Sequence, residues 1–505
     1  MTLTGDGRKI PEMYYRSTRG ADNKIGASGA IVRGIASDGG LYVPENLPQI
    51  DRTFKDFNGP DYGDIALYVI SKFFTDFTIE EIRYCVRNAY DKKFDVPSII
   101  PLTEKGGVFF LELFHGPTLA FKDIALSVLP HLLKIAAAKN NIDKEIVILT
   151  ATSGDTGKAA LEGFKNVEGI KIIVFFPKDG VSKVQERDMT TQEGDNTYVV
   201  AVKGNFDDTQ RGVKEIFSDG AFNETLSKCG YLFSSANSIN IGRLVPQVAY
   251  YVYAYLTLIK SGKIKSGEAI NIVVPTGNFG NILAAYYSKK MGLPVKKLIC
   301  ASNENNVLYD FIRTGIYNRK RKLIVTSSPA MDILVSSNLE RLLYDISDND
   351  PDIINNLMDS LNKKGQFEIA GKMKDGMADF YGGFATDIET AETIEYVFSN
   401  FCYLIDTHTA VGYNVYRKYL KKTGDGTKTI IASTASPFKF PGSVARALNK
   451  KYSGMDEFYL MEVLSEISGL KIPEAIRNLG RRGVLHTAVC EPHQMKDIIA
   501  DILGL

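Results

Sequence analysis

An α/β fold on a parallel sheet is the architecture this chain predicts, on three observations. From Lys144 onward, short β-branched runs alternate with longer helical patterns, as in strands joined by crossover helices rather than an antiparallel sandwich. The clearest runs, 146–149, 171–176, 198–202, 270–274 and 297–300, each end in a turn-rich segment, and most lead into a helix. At 505 residues, the chain has room for two or three domains of about 150 residues each.

The first hundred residues have another character. A Gly-rich stretch, 28–48, reads as extended, and 65–90 reads as an amphipathic helical part, so residues 1–100 are expected to form a separate N-terminal domain. The apolar run 245–259 contains Gln247 and several tyrosines and is shorter than the roughly 20 residues needed to span a bilayer. It reads as a buried helix. Residues 329–364 have a charged helical pattern, and two Ser/Thr-rich turns are expected at Thr407-His408-Thr409 and at 433–436.

Lysine plus arginine against aspartate plus glutamate is 60 to 59, so no global field draws nucleic acid or an anionic membrane, and an anionic ligand must be caught locally. The cysteines, Cys85, Cys229, Cys300, Cys402 and Cys490, stand singly without metal-ligand spacing. That suits a reducing compartment and mostly core thiols, with no metal site. The opening segment has no apolar run of the secretory kind, so a cytoplasmic chain is expected.

Three segments carry chemistry. In HGPTLAFKD, His115 to Asp123, one lysine follows a rigid turn at the mouth of a helix. Beside Leu119, Ala120 and Phe121, Lys122 is a candidate Schiff-base former, because a desolvated ammonium loses its proton more readily. Ligands in open parallel sheets bind beyond the carboxyl ends of strands. The loop after Leu149 contains Thr152, Ser153, Gly154, Asp155 and Thr156. It fits either an anion-receiving helix start or a helix merely capped by Asp155 or Thr156. The loop after Val274 contains Gly277, Asn278, Phe279, Gly280 and Asn281, whose paired glycines let backbone approach a phosphate; a plain strand-to-helix turn is the alternative. A P-loop and a dinucleotide fingerprint both lack their required glycines here.

A lysine after a turn, an anion-receiving loop and a phosphate cup together fit pyridoxal phosphate. HGPTLAFKD, TATSGDTG, PTGNFGN and STASPFKFPGSV resemble the signatures of the threonine synthase family, fold-type II pyridoxal phosphate enzymes related to the tryptophan synthase β chain. The resemblance extends to YRSTRG, SDGGLYVPENLP, the segment 237–243 and the segment 328–337. It implies an N-terminal domain over 1–100 and a catalytic region over 101–505, with a smaller α/β subdomain at roughly 140–240 interleaved with a larger parallel-sheet one.

By the same resemblance, Lys122 holds the cofactor and moves protons at Cα and Cβ. Residues 277–281 bind its phosphate, Thr434 meets the pyridine nitrogen, and Asp155 lies near the ring oxygen. Thr152, Ser153, Gly154 and Thr156 receive the substrate carboxylate. Ser238, Asn240, Arg243, His115 and Lys439 are candidates for gripping the γ-phosphate of O-phospho-L-homoserine, although Arg243 also fits a surface ion pair. The implied reaction removes phosphate from Cγ and adds water at Cβ to give L-threonine, with a smaller domain closing over the substrate. Two positions depart from the pattern: Ser436 where relatives have histidine, and Lys158 where they have a small residue. The partner implied is a small molecule, with no nucleic acid or membrane, on a monomer or homodimer. A phospho-lyase or dehydratase on the same scaffold, or a non-catalytic relative that binds the cofactor, remain alternatives.

Overall fold

A computed structural model describes residues 12–22, 24–51, 61–152 and 154–505. Two sheets organise them. The larger runs in the order Phe380–Phe384, Val295–Ser302, Ile270–Pro275, Thr429–Ser433, Val108–Glu112, Leu102–Lys105. Its first five strands are mutually parallel, and only the last pair is an antiparallel hairpin. The smaller sheet is parallel throughout, in the order Ala488–Cys490, Thr197–Val202, Ile170–Pro177, Glu145–Ala151, Tyr231–Ser234.

All five sequence-predicted runs are strands. Helices cover both faces of a parallel sheet, so its strands read as nearly continuous apolar runs; Ile270–Pro275 is buried at every residue. The helix Ile241–Lys260 is buried along most of its length, as the apolar run predicted. Gln247, the polar interruption, is satisfied within the helix by donating to the Arg243 carbonyl at 2.8 Å.

Two expectations need correction. The stretch read as extended contains a helix, Ala27–Arg33. Its start is tied by the Ser28 N–H donating to Asp76 Oδ2 at 2.9 Å, and Gly34 ends it at φ 69°, a left-handed turn that glycine adopts without strain. The triplet Thr407-His408-Thr409 is no turn but the start of the helix Thr407–Thr423. Asp406 caps it by accepting from the backbone N–H groups of His408 and Thr409, the ordinary use of an aspartate before a helix.

The helical part 65–90 divides into Tyr62–Phe73 and Ile79–Ala89, the second opened by a capping box of Thr78 and Glu81. The short strand Tyr15–Ser17 pairs with Tyr42–Pro44, and the neighbouring Thr18 and Arg19 side chains both donate to Glu340. That docks the N-terminal segment on the helix Leu339–Ile346. Cys85, Cys300 and Cys490 are buried, whereas Cys229 and Cys402 are exposed. Among the described residues, no helix is long and apolar enough to cross a membrane.

Candidate active site

Lys122 is the first residue of the helix Lys122–Lys139. The turn before it is stitched to the segment after the strand Thr429–Ser433. Leu113 N–H donates to the Ser433 carbonyl at 2.9 Å, Phe121 N–H to the Thr434 carbonyl at 2.9 Å, and Ser436 N–H to the Leu119 carbonyl at 3.0 Å. Asp123 braces the same turn by accepting from the backbone N–H and hydroxyl of Thr118 at 2.8 and 2.5 Å. Burial pushes the Asp123 carboxyl up to about 6. A side chain at residue 116 would put its Cβ 2.5 Å from Asp123, so Gly116 is what lets the turn close on that carboxylate.

The Lys122 side chain is buried, with Nζ 3.3 Å from Asp155 Oδ2 and 5.3 Å from the centroid of the Phe121 ring. Burial holds its ammonium below the usual lysine range, opposed by Asp155 and reinforced by the charges of Lys439 and Arg243. Asp155 sits among cations. Burial alone would raise its carboxyl, but Lys439 and Lys122 outweigh burial and hold it well below the usual range. Lys439 Nζ lies 3.4 Å from Asp155 Oδ1 and donates to the Thr118 carbonyl.

Arg243 is 2 % exposed. Its Nη1 donates to the Ala236 carbonyl at 2.9 Å, while its Nε has no partner among the described residues. Burial pushes the guanidinium down to about 10. A buried guanidinium with an idle donor and, among the described residues, no carboxylate bonded to it is a site for an anion. The surface ion-pair reading of Arg243 is therefore wrong, because the side chain points into the protein.

The loop after Ile270–Pro275 forms the second anion-receiving feature. Phe279 takes a left-handed φ of 64° and caps the helix Gly280–Lys290. The backbone N–H groups of residues 277–281 bond to no acceptor among the described residues. Their carbonyl sides are tied back: Ser336 Oγ donates to the Gly277 carbonyl at 2.7 Å, and Asn338 donates to the Asn278 carbonyl from Nδ2 at 3.0 Å. A Cβ on Gly277 would lie 2.7 Å from the Ala330 carbonyl, so only glycine fits. Asn281 Oδ1 accepts from Tyr251, and its buried Nδ2 is unpartnered. Gln247 Nε2 lies 3.9 Å from the Cβ position at Gly280, so the helix that begins near Arg243 also backs this cup.

These residues suit pyridoxal phosphate: free N–H donors at a helix start for its phosphate, and a desolvated lysine for its aldehyde. Thr434 is buried, and its hydroxyl makes no hydrogen bond among the described residues.

The other sequence candidates have structural partners. Thr152 Oγ1 accepts from the N–H groups of Gly154 and Gly157 at 3.0 and 2.9 Å. The N-cap is Gly154, not Asp155 or Thr156. Ser153 lies outside the described residues, and Thr156 is half-buried on the first turn of Asp155–Phe164. Asn240 is spent on capping Ile241–Lys260 and on the carbonyls of Ile31 and Ser235. Ser238 is 3.4 Å from Asn338 Nδ2. His115 is held by Asp95 at 2.6 Å and Glu112 at 2.9 Å; burial would lower it, but those carboxylates raise it to about 9. Ser436 caps a short turn by accepting from Phe438 N–H. Lys158, on the first turn of Asp155–Phe164, is buried between Gln192, Asp188 and Glu162.

Two residues at the site were not read as site residues from the sequence, which gave His408 only as part of an expected turn. His408 Nε2 accepts from the Ala330 N–H at 3.2 Å, so its proton is on Nδ1, 2.7 Å from Asp406 Oδ2. Gln185 Nε2 donates to Asp155 Oδ1 at 3.0 Å. The Ser-x-x-Gln spacing at 182–185 signals a helix cap, but nothing local shows that the cap's other end meets a carboxylate of the site.

Comparison with known families matches residues 14–90 to the threonine synthase N terminus, residues 98–434 to pyridoxal-phosphate dependent enzymes, and residues 409–479 to the threonine synthase C-terminal region. The chain is 39% identical to human threonine synthase-like 1 over 437 residues, which cover 84% of this chain and 58% of that protein. It is 36% identical to threonine synthase of Saccharomyces cerevisiae over 493 residues, covering 90% of this chain and 93% of that one. The crystal structure of pyridoxal phosphate-bound threonine synthase from Brucella melitensis superposes with a TM-score of 0.85 at 36% identity, covering 97% and 98% of the two chains. The yeast enzyme gives 0.86 at 32% identity, covering 97% and 99%. With the fold of the pyridoxal-phosphate-dependent enzymes and these matches along its length, the chain belongs to the threonine synthase family.

Proposed function

We propose that this chain converts O-phospho-L-homoserine and water to L-threonine and inorganic phosphate, in a pyridoxal phosphate-dependent elimination at Cγ and addition at Cβ. One observation carries this: two buried lysines, Lys122 and Lys439, share a single carboxylate, Asp155, and the buried Arg243 adds its positive charge beside Lys122, in addition to the row of N–H groups at 277–281 that meet no acceptor among the described residues. Such a surplus of buried positive charge asks for a second anion besides the cofactor's phosphate. A phosphorylated amino acid supplies it.

The donors at 277–281 would hold the cofactor phosphate, Thr434 its ring nitrogen, Asp155 the region of its ring oxygen, and Lys122 its aldehyde carbon. When bound, pyridoxal phosphate supplies the electron sink that makes the substrate Cα–H acidic. Lys122 then carries protons from Cα and Cβ, a task suited to an amine whose charged form burial disfavours. Arg243 and Lys439 steady the γ-phosphate as its C–O bond breaks. The burial of these groups keeps stray water from the reacting carbons. His408, locked by Asp406, holds the segment around Ala330 against the cup.

The N-terminal unit over 1–100 and the catalytic region over 101–505, with a smaller subdomain near 140–240, serve this reaction as scaffold and closing parts. The enzyme acts in the cytoplasm on a small molecule, with neither nucleic acid nor membrane as partner. Incubating the purified chain with O-phospho-L-homoserine and identifying the products tests the reading: L-threonine and phosphate in equal amounts are expected. A keto acid with ammonia would point to the dehydratase chemistry of the same scaffold instead.

A further inference from the structure

Asp155 has two oxygens and three close donors. Lys122 lies 3.3 Å from Oδ2, Lys439 3.4 Å from Oδ1, and Gln185 Nε2 3.0 Å from Oδ1. Charge-assisted N–H to carboxylate bonds are commonly about 2.7–2.9 Å, so both ammonium contacts are long. The shortest bond to this carboxylate comes from a neutral amide. Gln185 cannot be turned the other way round, because its Oε1 accepts from the Ser182 N–H at 3.3 Å in the cap of the helix Lys183–Thr190. That leaves Nε2 as the end facing Asp155.

The helix bearing Gln185 is itself pinned from the far end of the chain. Glu457 accepts from Val184 N–H at 3.2 Å, Arg187 donates to the Gly480 carbonyl at 2.8 Å, and Leu485 N–H donates to the Thr190 carbonyl at 2.9 Å. Gly154 makes the approach possible, since a Cβ there would stand 2.5 Å from Gln185 Nε2. The amide therefore reaches Asp155 from a rigid mount.

We propose that Gln185 is a positioning residue: by anchoring Asp155 Oδ1, it turns Oδ2 toward Lys122 and so sets the pH at which the Lys122 amine loses its proton. The charged and titratable groups around Lys122 are Asp155, Lys439 and Arg243, with His408 acting on Asp155 from beyond and Asp123 adjoining Lys439. Without the anchor, Asp155 is free to close on Lys439, and Lys122 loses the one carboxylate paired with it among the described residues. With a carboxylate in place of the amide, Lys122 faces two. The idea rests on the reading of Lys122 as the reactive amine.

The test is competitive acetylation of the full chain freed of pyridoxal phosphate, with the Lys122 peptide quantified by mass spectrometry from pH 6 to pH 11. Gln185→Met should lower the labelling midpoint of Lys122 and Gln185→Glu should raise it, each by about one pH unit, or tenfold in labelling rate below the midpoint. Ser182→Ala loosens the same helix cap but keeps the amide on Asp155, and should leave the midpoint in place. Met and Glu variants that shift it in the same direction, or not at all, overturn the proposal, as does a Ser182→Ala shift matching that of the Met variant. Should the Met protein not fold, the Glu variant decides against the parent, and a midpoint that does not rise overturns the idea. Failure here leaves threonine formation by the parent chain untouched; failure of the proposed function leaves the opposed midpoint shifts standing.

Discussion

Lys122 and Lys158 stand on adjacent helices, at 9 % and 8 % exposure, yet they are prepared for opposite tasks. Lys158 is bonded to Gln192 at 2.6 Å and paired with Asp188 at 3.2 Å and Glu162 at 3.7 Å. Its charge is matched and its donors are used. Lys122 shares one carboxylate with Lys439, in a pocket where Arg243 adds a further positive charge. Equal burial thus gives a structural cation in one place and a labile amine in the other. What separates them is the count of anions per cation, because carboxylates are what offset the burial of an ammonium.

The largest test of this contrast is removal of each lysine in turn. Lys122→Ala should lower threonine formation by about 10²–10⁴-fold, the usual range for a lost acid/base group, and abolish the borohydride-trapped cofactor adduct on that peptide. Lys158→Met should keep the adduct. Its cost appears instead in denaturant unfolding, as a loss of about 3 kcal/mol, since Asp188 and Glu162 are left facing an apolar side chain.

A third cation extends the series, for Arg243 has no carboxylate bonded to it among the described residues. Arg243→Gln should raise KM for O-phospho-L-homoserine by about 10- to 100-fold, as loss of a hydrogen bond to a charged group implies, with a smaller change in kcat. A rise in kcat alone would count against its role in gripping phosphate.

The smallest expected effect concerns His115, a half-buried base with two carboxylates that resembles Lys158 in its pairing. Its value is raised from 6.5 to about 9 in the folded chain, so its contribution is fully present below pH 6.5 and lost as pH rises through 9. Asp95 is half exposed and therefore screened, which keeps the loss to about 1–2 kcal/mol. Unfolding measured at pH 6 and pH 9.5 should show that decline in the parent and not in His115→Gln.

Much of the fold could be read from local pattern. The strand runs needed only β-branched residues between turn signals, and the cup at 277–281 needed only glycines after a strand. The helix Ala27–Arg33 was missed because a serine and a glycine inside it, Ser28 and Gly29, mask a short apolar face that becomes helical only when Asp76 ties its start from a distance. The start of Thr407–Thr423 was missed because Ser/Thr-rich triplets serve turns and helix caps equally. Among the site residues, those inside a continuous motif were legible. His115 and Asn240 also looked like ligand residues, yet the structure commits their polar atoms to Asp95, Glu112, Ile31 and Ser235.

By itself, the sequence determined the parallel-sheet class, the lysine at a helix mouth, the glycine cup and the family, because each depends on neighbours within a few residues. Tertiary structure alone decided how charge is shared. Asp155, Lys439, Arg243 and Gln185 come from four separate segments, and Coulomb energy and desolvation depend on distances between them that no local pattern encodes.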